Sequence, residues 1–532
     1  MYFVRNLFQA NGARSLFGIL TASRQYVVPA LCAWILSGVL MNSAVSAQAP
    51  SNPLPDSLVI VAEPTVSAPT RTTYYVEAGS YGTKREADPP NYTRDLNKVG
   101  LPAFSNVDWL TVGLDYRVRF EYRNNDIRRP ESYSNDLPFL LRSRAYLGVK
   151  EIIDPLRLVV EIEDASRVNG NYPLDDRDVN RYEMIQGYAE LFFDNLLKED
   201  DLGNKRPVYI RGGRMCFEFT DRRLIGLNQW RNTTNNFVGL RATVGQDKND
   251  WQVDVMALKP IDRIIDEFDE AIREQYFWAA IGHHRKFSQV VTIEPYYMAL
   301  RQEPSESNGE RYRQIHSPGL RLYGYVYNTG FNYDVTGTYQ FGKERDLTQN
   351  AYMVTAEVGY TVQNSSWKPR VSLFYGYVTG DKDPNDEENN RFERFFGFAR
   401  PWSSDDYIIP ENVVTPKLKV EFEPVKGVKV DGGYSFYWLA SGTDRFNNLL
   451  AGSTFNRDQT GNSGTFLGHG LDSRVRFKPV KFVDLNIGYT FYTIGDYVQN
   501  RQLAANGDFA DYSNFFYVEL SYNFWDMFTP KK

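Results

Sequence analysis

The sequence predicts an all-β protein, a transmembrane antiparallel up-and-down β-barrel of about 18 strands. Three observations predict it. Apolar and charged residues alternate with period two through most of the chain after residue 107. Long and short connections between these segments also alternate. An export leader precedes them, and an aromatic-ended strand closes the series.

The leader comes first in the chain. Arg5, Arg14 and Arg24 sit in a carboxylate-free stretch, followed by the apolar "YVVPALCAWILSGVL" and the small-residue exit "AVSAQA". This order is that of a signal peptide cleaved after Ala47, so residues 1–47 are read as leader. An uncleaved anchor is the competing reading, and the small-residue exit argues against it. Cys32 follows Leu31 rather than a small residue, which argues against a lipid anchor. Residues 48–106 are rich in Pro, Ser, Thr and Asn ("QAPSNPLPDS", "ADPPNYTRDLN") and read as a flexible periplasmic segment.

The barrel is expected over residues 107–526. Its first strand, "LTVGLDYRVRFEYR", sets Leu110, Val112, Leu114, Tyr116, Val118, Phe120 and Tyr122 against Asp115, Arg117, Arg119, Glu121 and Arg123. Successive strand side chains point to opposite faces, so the stretch has one apolar and one charged wall. Similar segments recur near 138–151, 156–164, 184–192, 207–217, 237–245, 251–258, 275–284, 288–301 and 314–326. They continue near 330–342, 350–362, 369–380, 414–423, 427–439, 470–478, 482–493 and 514–524. The long connections are 124–137, 165–183, 218–236, 259–274, 381–413, 440–469 and 494–513, expected outside the cell opposite short periplasmic turns. "DNLLKEDDLGNKR" is the exception, a longish stretch where a turn is expected. The last strand, "FFYVELSYNF", aligns Phe516, Val518, Leu520, Tyr522 and Phe524 on one face. A secreted β-sandwich would not predict the alternating loop lengths.

Composition agrees with this and narrows the function. Aromatics make up 15% of the chain, with 36 Tyr and 34 Phe. A mean hydropathy of −0.47 suits a barrel, in which only alternate strand residues need be apolar. After the leader no apolar run approaches the roughly 20 residues a membrane helix needs. The net charge is −6, hence −9 without the three leader arginines, so bulk charge does not favour polyanions or nucleic acid. Only Cys216 remains after cleavage, which excludes an internal disulfide and a cysteine metal site.

With the apolar set facing lipid, parity turns Arg117, Arg119, Arg142, Arg144, Arg157, Arg214 and Arg241 inward. Later strands add Arg321, Arg370, Lys417, Lys419, Arg474, Arg476 and Lys478. Asp115, Glu121, Glu161, Glu163, Glu190, Asp254, Asp334, Glu357, Glu421 and Asp484 share that face. An arginine facing lipid at mid-depth costs about 2–4 kcal/mol, so these cations must face water. They read either as a paired network that stiffens the barrel or as a constriction that binds anions through guanidinium forks.

"YAELFF" (188–193), "YIRGGRM" (209–215), "DRRLIG" (221–226), "QWRN" (229–232) and "FVGLR" (237–241) occur in that order, followed by "LFYGYVTGD" (373–381) and "RFERFFG" (391–397). Together they resemble the motifs of the alginate-export porin family, with Met215 where that family usually has Gln. The resemblance implies an 18-stranded, monomeric outer-membrane barrel with an arginine-lined constriction for a uronate polymer. By motif it marks Arg214, Arg222 or Arg223, and Arg241. The expected pore site is therefore Arg117, Arg119, Arg142, Arg144, Arg214, Arg222, Arg223 and Arg241, with Glu190. Tyr188 and Trp230 would pack on sugar faces. The expected partners are outer-membrane lipid, lipopolysaccharide and an anionic polysaccharide. The alternatives are a general or small-molecule-specific porin and a non-conducting adhesive barrel.

No catalytic residue, metal or cofactor is expected. "GHHRK" reads as a solvated histidine pair at a turn, and "QIHSPG" puts Ser317 beside His316 without a catalytic geometry. "DKDPNDEENN" begins like a calcium loop at Asp381, Asp383 and Asn385 but lacks the sixth-position Gly and twelfth-position Glu.

Overall fold

Alternation of this kind can satisfy every backbone hydrogen bond inside a membrane only if the sheet closes on itself. The computed structural model describes residues 71–79, 85–129, 135–446 and 457–529, and in it the sheet closes as an 18-strand antiparallel barrel. Expectations for residues 1–70, the leader among them, lie outside the described residues. The strands are β1 (Leu110–Asn124), β2 (Phe139–Ile153), β3 (Leu156–Val168), β4 (Asn180–Leu197), β5 (Arg206–Met215) and β6 (Phe237–Val244). Next come β7 (Trp251–Asp262), β8 (Gln275–His284), β9 (Thr292–Gln302), β10 (Arg313–Tyr325), β11 (Phe331–Glu344) and β12 (Leu347–Thr361). The last six are β13 (Arg370–Val378), β14 (Val413–Val425), β15 (Val428–Trp438), β16 (Phe466–Val480), β17 (Val483–Ile494) and β18 (Tyr512–Asn523). Closure runs from Asp115 opposite Asn523 to Asn124 opposite Asn514.

Each strand coincides with a predicted segment, with its ends moved by a few residues. Loop asymmetry holds with one exception: β11 and β12 are joined on the long-loop side by Arg345 and Asp346 alone. The other anomaly resolves itself, because β4 runs on to Leu197 and leaves only 198–205 as a turn.

The two faces separate as the alternation requires. Leu114, Leu147 and Leu240 are exposed on the outside, whereas Arg117, Arg142 and Arg241 are buried inside. Outward aromatics gather at both rims, as in membrane barrels. Tyr276 stacks on Trp278 and Phe436 on Trp438 at the loop side, and Trp367 on Phe422 at the turn side. His316 stands in the outward row, stacked on Phe341 at 5.2 Å, while Ser317 faces inward and is fully buried. Adjacent strand residues point apart, so that serine–histidine pair cannot act together. The expected solvated pair "GHHRK" is also corrected: His283 is buried inside the barrel, 3.0 Å from Glu294.

A uniformly wet lumen does not follow from the alternation, and the structure does not have one. Loops 216–236 and 379–412 fold inward and carry apolar side chains with them. Phe396 meets Phe237 at 4.9 Å and Phe277 at 5.1 Å, and Phe217 stacks on Phe237 at 5.2 Å. The interior is therefore part ion network and part aromatic core.

The segment before β1 is not a bare tether either. Thr93–Asp95 pairs with Thr111–Gly113 of β1, the ladder position that β18 leaves free beyond Asn523. Gly113 allows this approach, since a Cβ there would stand 2.8 Å from the Tyr92 ring. Arg94 holds Asp526 of the C-terminal turn at 2.6 Å. From this anchor the preceding residues enter the barrel: Tyr92 bonds Glu161 of β3, and Asp88 reaches Arg211 and Arg241.

Candidate functional site

Two adjacent clusters on the inner wall hold most of the predicted site residues. The first is built by β1 and β2. Two-residue spacing stacks Arg117 above Arg119 and Arg142 above Arg144, and antiparallel register sets Arg117 opposite Arg142. All four are buried, and all four meet loop 216–236. Arg117 donates to the carbonyls of Gln229 at 2.6 Å and Arg231 at 2.7 Å. Arg119 donates to the Trp230 carbonyl. Arg144 donates to Thr234 Oγ1 at 2.6 Å and Gln229 Oε1 at 3.2 Å, and Arg142 lies at 3.4 Å from the same oxygen.

Four guanidinium groups this close would repel, and carboxylates on the same wall offset them. Glu163 takes Arg144 at 2.8 Å, Asp115 faces Arg142 at 3.7 Å, and Glu519 of β18 sits 3.2 Å from Arg119. Trp230 is clamped between two cations, with Arg119 3.8 Å from its ring and Arg400 of loop 379–412 at 3.6 Å. Cation–π contacts of this kind contribute about 0.5–2 kcal/mol each. The predicted Trp230 thus joins both inward loops to the wall.

Tyr188, Glu190 and Arg241 form the second cluster, on the neighbouring β4–β7 wall. Its centre is Arg211, which the sequence reading missed. Arg211 donates to Glu190 at 2.9 Å and lies 4.0 Å from the Tyr188 ring, and Arg241 bonds Asp254 at 2.8 Å. A cavity of about 800 Å³ opens here toward the turns, lined by Arg157, Tyr188, Tyr209, Arg211 and Arg241.

Arg214 departs from expectation. It lies opposite Gly187 and Val238, in the register row of Ile210 and Gly212, which faces away from Arg211. Its guanidinium is held at the loop-side end by Glu183 and by the Asp269 carbonyl at 2.7 Å. The outward Val208 and Ile210 carried the signal: counting from them places Arg211, not Arg214, inside. Arg222 and Arg223 leave both clusters. Arg223 pairs with Asp221 and lies 5.1 Å from the Phe374 ring on another part of the wall, and Arg222 approaches Glu218 at 3.9 Å.

Loop 379–412 carries a titratable group of its own. Asp405 is buried, accepting from Ser403 and from the Tyr407 N–H at 3.0 Å. Burial pushes its carboxyl up to about 6, against the pull of the Tyr407 N–H, Arg123 and Arg128. A raised carboxyl binds its proton more tightly in the docked loop than in the released one. The contribution is therefore full below the ordinary 3.8 and lost as pH rises through about 6. Backbone hydrogen exchange at residues 403–407 is expected to be slower at pH 4.5 than at pH 7, after correction for intrinsic rates. Equal protection at both values would refute it.

Comparison with known proteins agrees with this architecture. No curated protein matched the sequence. The outer-membrane protein OpdK from Pseudomonas aeruginosa is similar in fold, with 10% identity, 77% of this chain and 98% of that chain covered, and a TM-score of 0.51. OccK2 (OpdF) from the same organism has 10% identity, covers 78% of this chain and 97% of its own, and gives a TM-score of 0.51. The family model for alginate export matches residues 108–510, nearly the whole barrel. The chain therefore belongs to the alginate-export family and is a β-barrel of the bacterial outer membrane.

Proposed function

We propose that this outer-membrane channel passes anionic polysaccharide of the uronate type, or related anions, by electrostatic attraction and without covalent chemistry. The observation that carries the reading is the inward guanidinium series of Arg117, Arg119, Arg142, Arg144, Arg211 and Arg241, each within reach of a carboxylate on the same wall. A bare cationic ring would trap a polyanion, whereas paired cations exchange one carboxylate for another and release it. Tyrosines beside the arginines offer flat apolar faces to sugar rings. Membership of the alginate-export family supports the same class of cargo.

Planar-bilayer recording tests it. The wild-type protein is expected to prefer anions in a salt gradient, and Arg142→Ala with Arg144→Ala to shift the reversal potential toward cations. Cation preference unchanged by the double substitution would count against the reading. A second reading, a porin for small organic anions, is favoured by the inward loops 216–236 and 379–412, which narrow the bore. Current block by oligouronates but not by monomeric uronate would decide for the polymer.

A further inference from the structure

The residues ahead of β1 bring a carboxylate of their own to the cationic wall. The sequence "EADPPN" forms a tight turn inside the barrel, closed where Asn91 donates to Glu86 Oε1 through its backbone N–H at 2.9 Å and its side chain at 2.8 Å. Its flank is fixed by the Glu86 N–H, which donates to Glu218 of the inward loop at 2.7 Å. Asp88 stands on this turn. One of its oxygens lies 2.9 Å from Arg211 and 3.3 Å from Arg241, bridging two guanidinium groups on neighbouring strands.

The charge count at this spot is informative. Arg157, Arg211 and Arg241 face Glu190, Asp254 and Asp88. Glu190 and Asp254 belong to the wall and stay. Asp88 is carried in by a segment held to the wall at Thr93–Asp95. With Asp88 withdrawn, the cluster holds one uncompensated positive charge beside the rings of Tyr188 and Tyr209. Asp254 is completely buried, whereas the Asp88 side chain keeps 33% of its surface open. Asp88 is therefore the carboxylate of this cluster that is most open to exchange with an incoming anion. The adjoining cavity of about 800 Å³ falls within the range of small-ligand sites.

We propose that Arg211 and Arg241, with Tyr188 and Tyr209, form a carboxylate subsite for a sugar acid, and that Asp88 occupies it as an internal surrogate until cargo displaces it. The proposal rests on the reading of the channel as a conduit for uronates. The segment is then a displaceable stopper: it neutralises the subsite when the channel is empty and yields to an incoming carboxylate of the same charge and shape. Because the surrogate is covalently attached, it competes at high local concentration, and only a multivalent or concentrated anion displaces it.

The test uses the full mature chain in planar bilayers, with a galacturonate trimer as probe and maltotriose as neutral control. Asp88→Asn is expected to raise the open-channel conductance and to lower the trimer concentration for half-block several-fold. Glu86→Gln makes the same charge change on the same turn without touching either arginine, and is expected to leave half-block near wild type. In a Cys216→Ser background, Glu86→Cys and Glu218→Cys joined by a short bis-thiol crosslinker are expected to abolish block by pinning the turn in place. Equal half-block in wild type, Asp88→Asn and the crosslinked protein overturns the stopper while leaving a uronate channel standing. An equal gain from Glu86→Gln also overturns it, since general electrostatics would then suffice. Failure of the trimer to block any variant removes the channel reading, and the stopper with it.

Discussion

Gly397→Ala is expected to raise single-channel conductance several-fold while the barrel still folds. A Cβ at this position would overlap the carbonyl oxygen of Arg223. Backbone cannot swing aside as a flexible side chain can, so one loop must leave the other. The two inward loops meet there through backbone: Phe396 N–H donates to the Leu224 carbonyl at 3.0 Å, and Gly226 N–H to the Phe396 carbonyl at 3.3 Å. Displacing Phe396 also loosens its contacts with Phe237 and Phe277. Overpacking of this kind costs about 1–3 kcal/mol, enough to undock a loop but not to open a closed barrel. The barrel is checked by heat-modifiable migration in detergent gels and the conductance by bilayer recording. An unaltered conductance would show that these loops do not obstruct the path.

Leu240→Arg is expected to destabilise the barrel by about 2–4 kcal/mol in lipid. Leu240 lies midway along β6, 60% exposed, between Gly212 and Ala257 of the flanking strands. Its neighbour Arg241 obeys the opposite rule. Arg241→Leu leaves the fully buried Asp254 to Thr243 at 2.6 Å and Gln252 at 2.9 Å, without its guanidinium partner. Breaking a buried pair from one side typically costs about 3–5 kcal/mol. Urea unfolding in liposomes measures both. If arginine at 240 were tolerated, the assignment of this face to lipid would be wrong.

Most of the wall was legible because its cause is local. Backbone sterics place alternate side chains on opposite faces, so Leu114, Leu147 and Leu240 went outward and Arg117, Arg142 and Arg241 inward without knowledge of their partners. At "YIRGGRM" the expectation of an inward Arg214 fails, because the outward Val208 and Ile210 set the parity that turns Arg211 inward and leaves Arg214 at the loop-side end. The first cluster was found residue by residue from β1 and β2, yet its occupation by Gln229, Trp230 and Arg231 was not. Loop sequence carries no period, and a loop that folds inward composes much like one that stays outside.

The strand number, the sense of each face and the side on which the long loops lie can all be read from the amino-acid order. All three follow from side-chain alternation and connection length, which operate over a few residues. Which guanidinium groups meet loop carbonyls and which meet carboxylates is set by the folding of the loops into the closed barrel. The tertiary structure alone put an aromatic core inside the barrel and brought Asp88 to Arg211 and Arg241. The contacts of Arg117 with Gln229 and of Asp88 with Arg211 and Arg241 join residues more than a hundred positions apart. They depend on closure of the cylinder, which brings distant chain segments within hydrogen-bond range that no local pattern encodes.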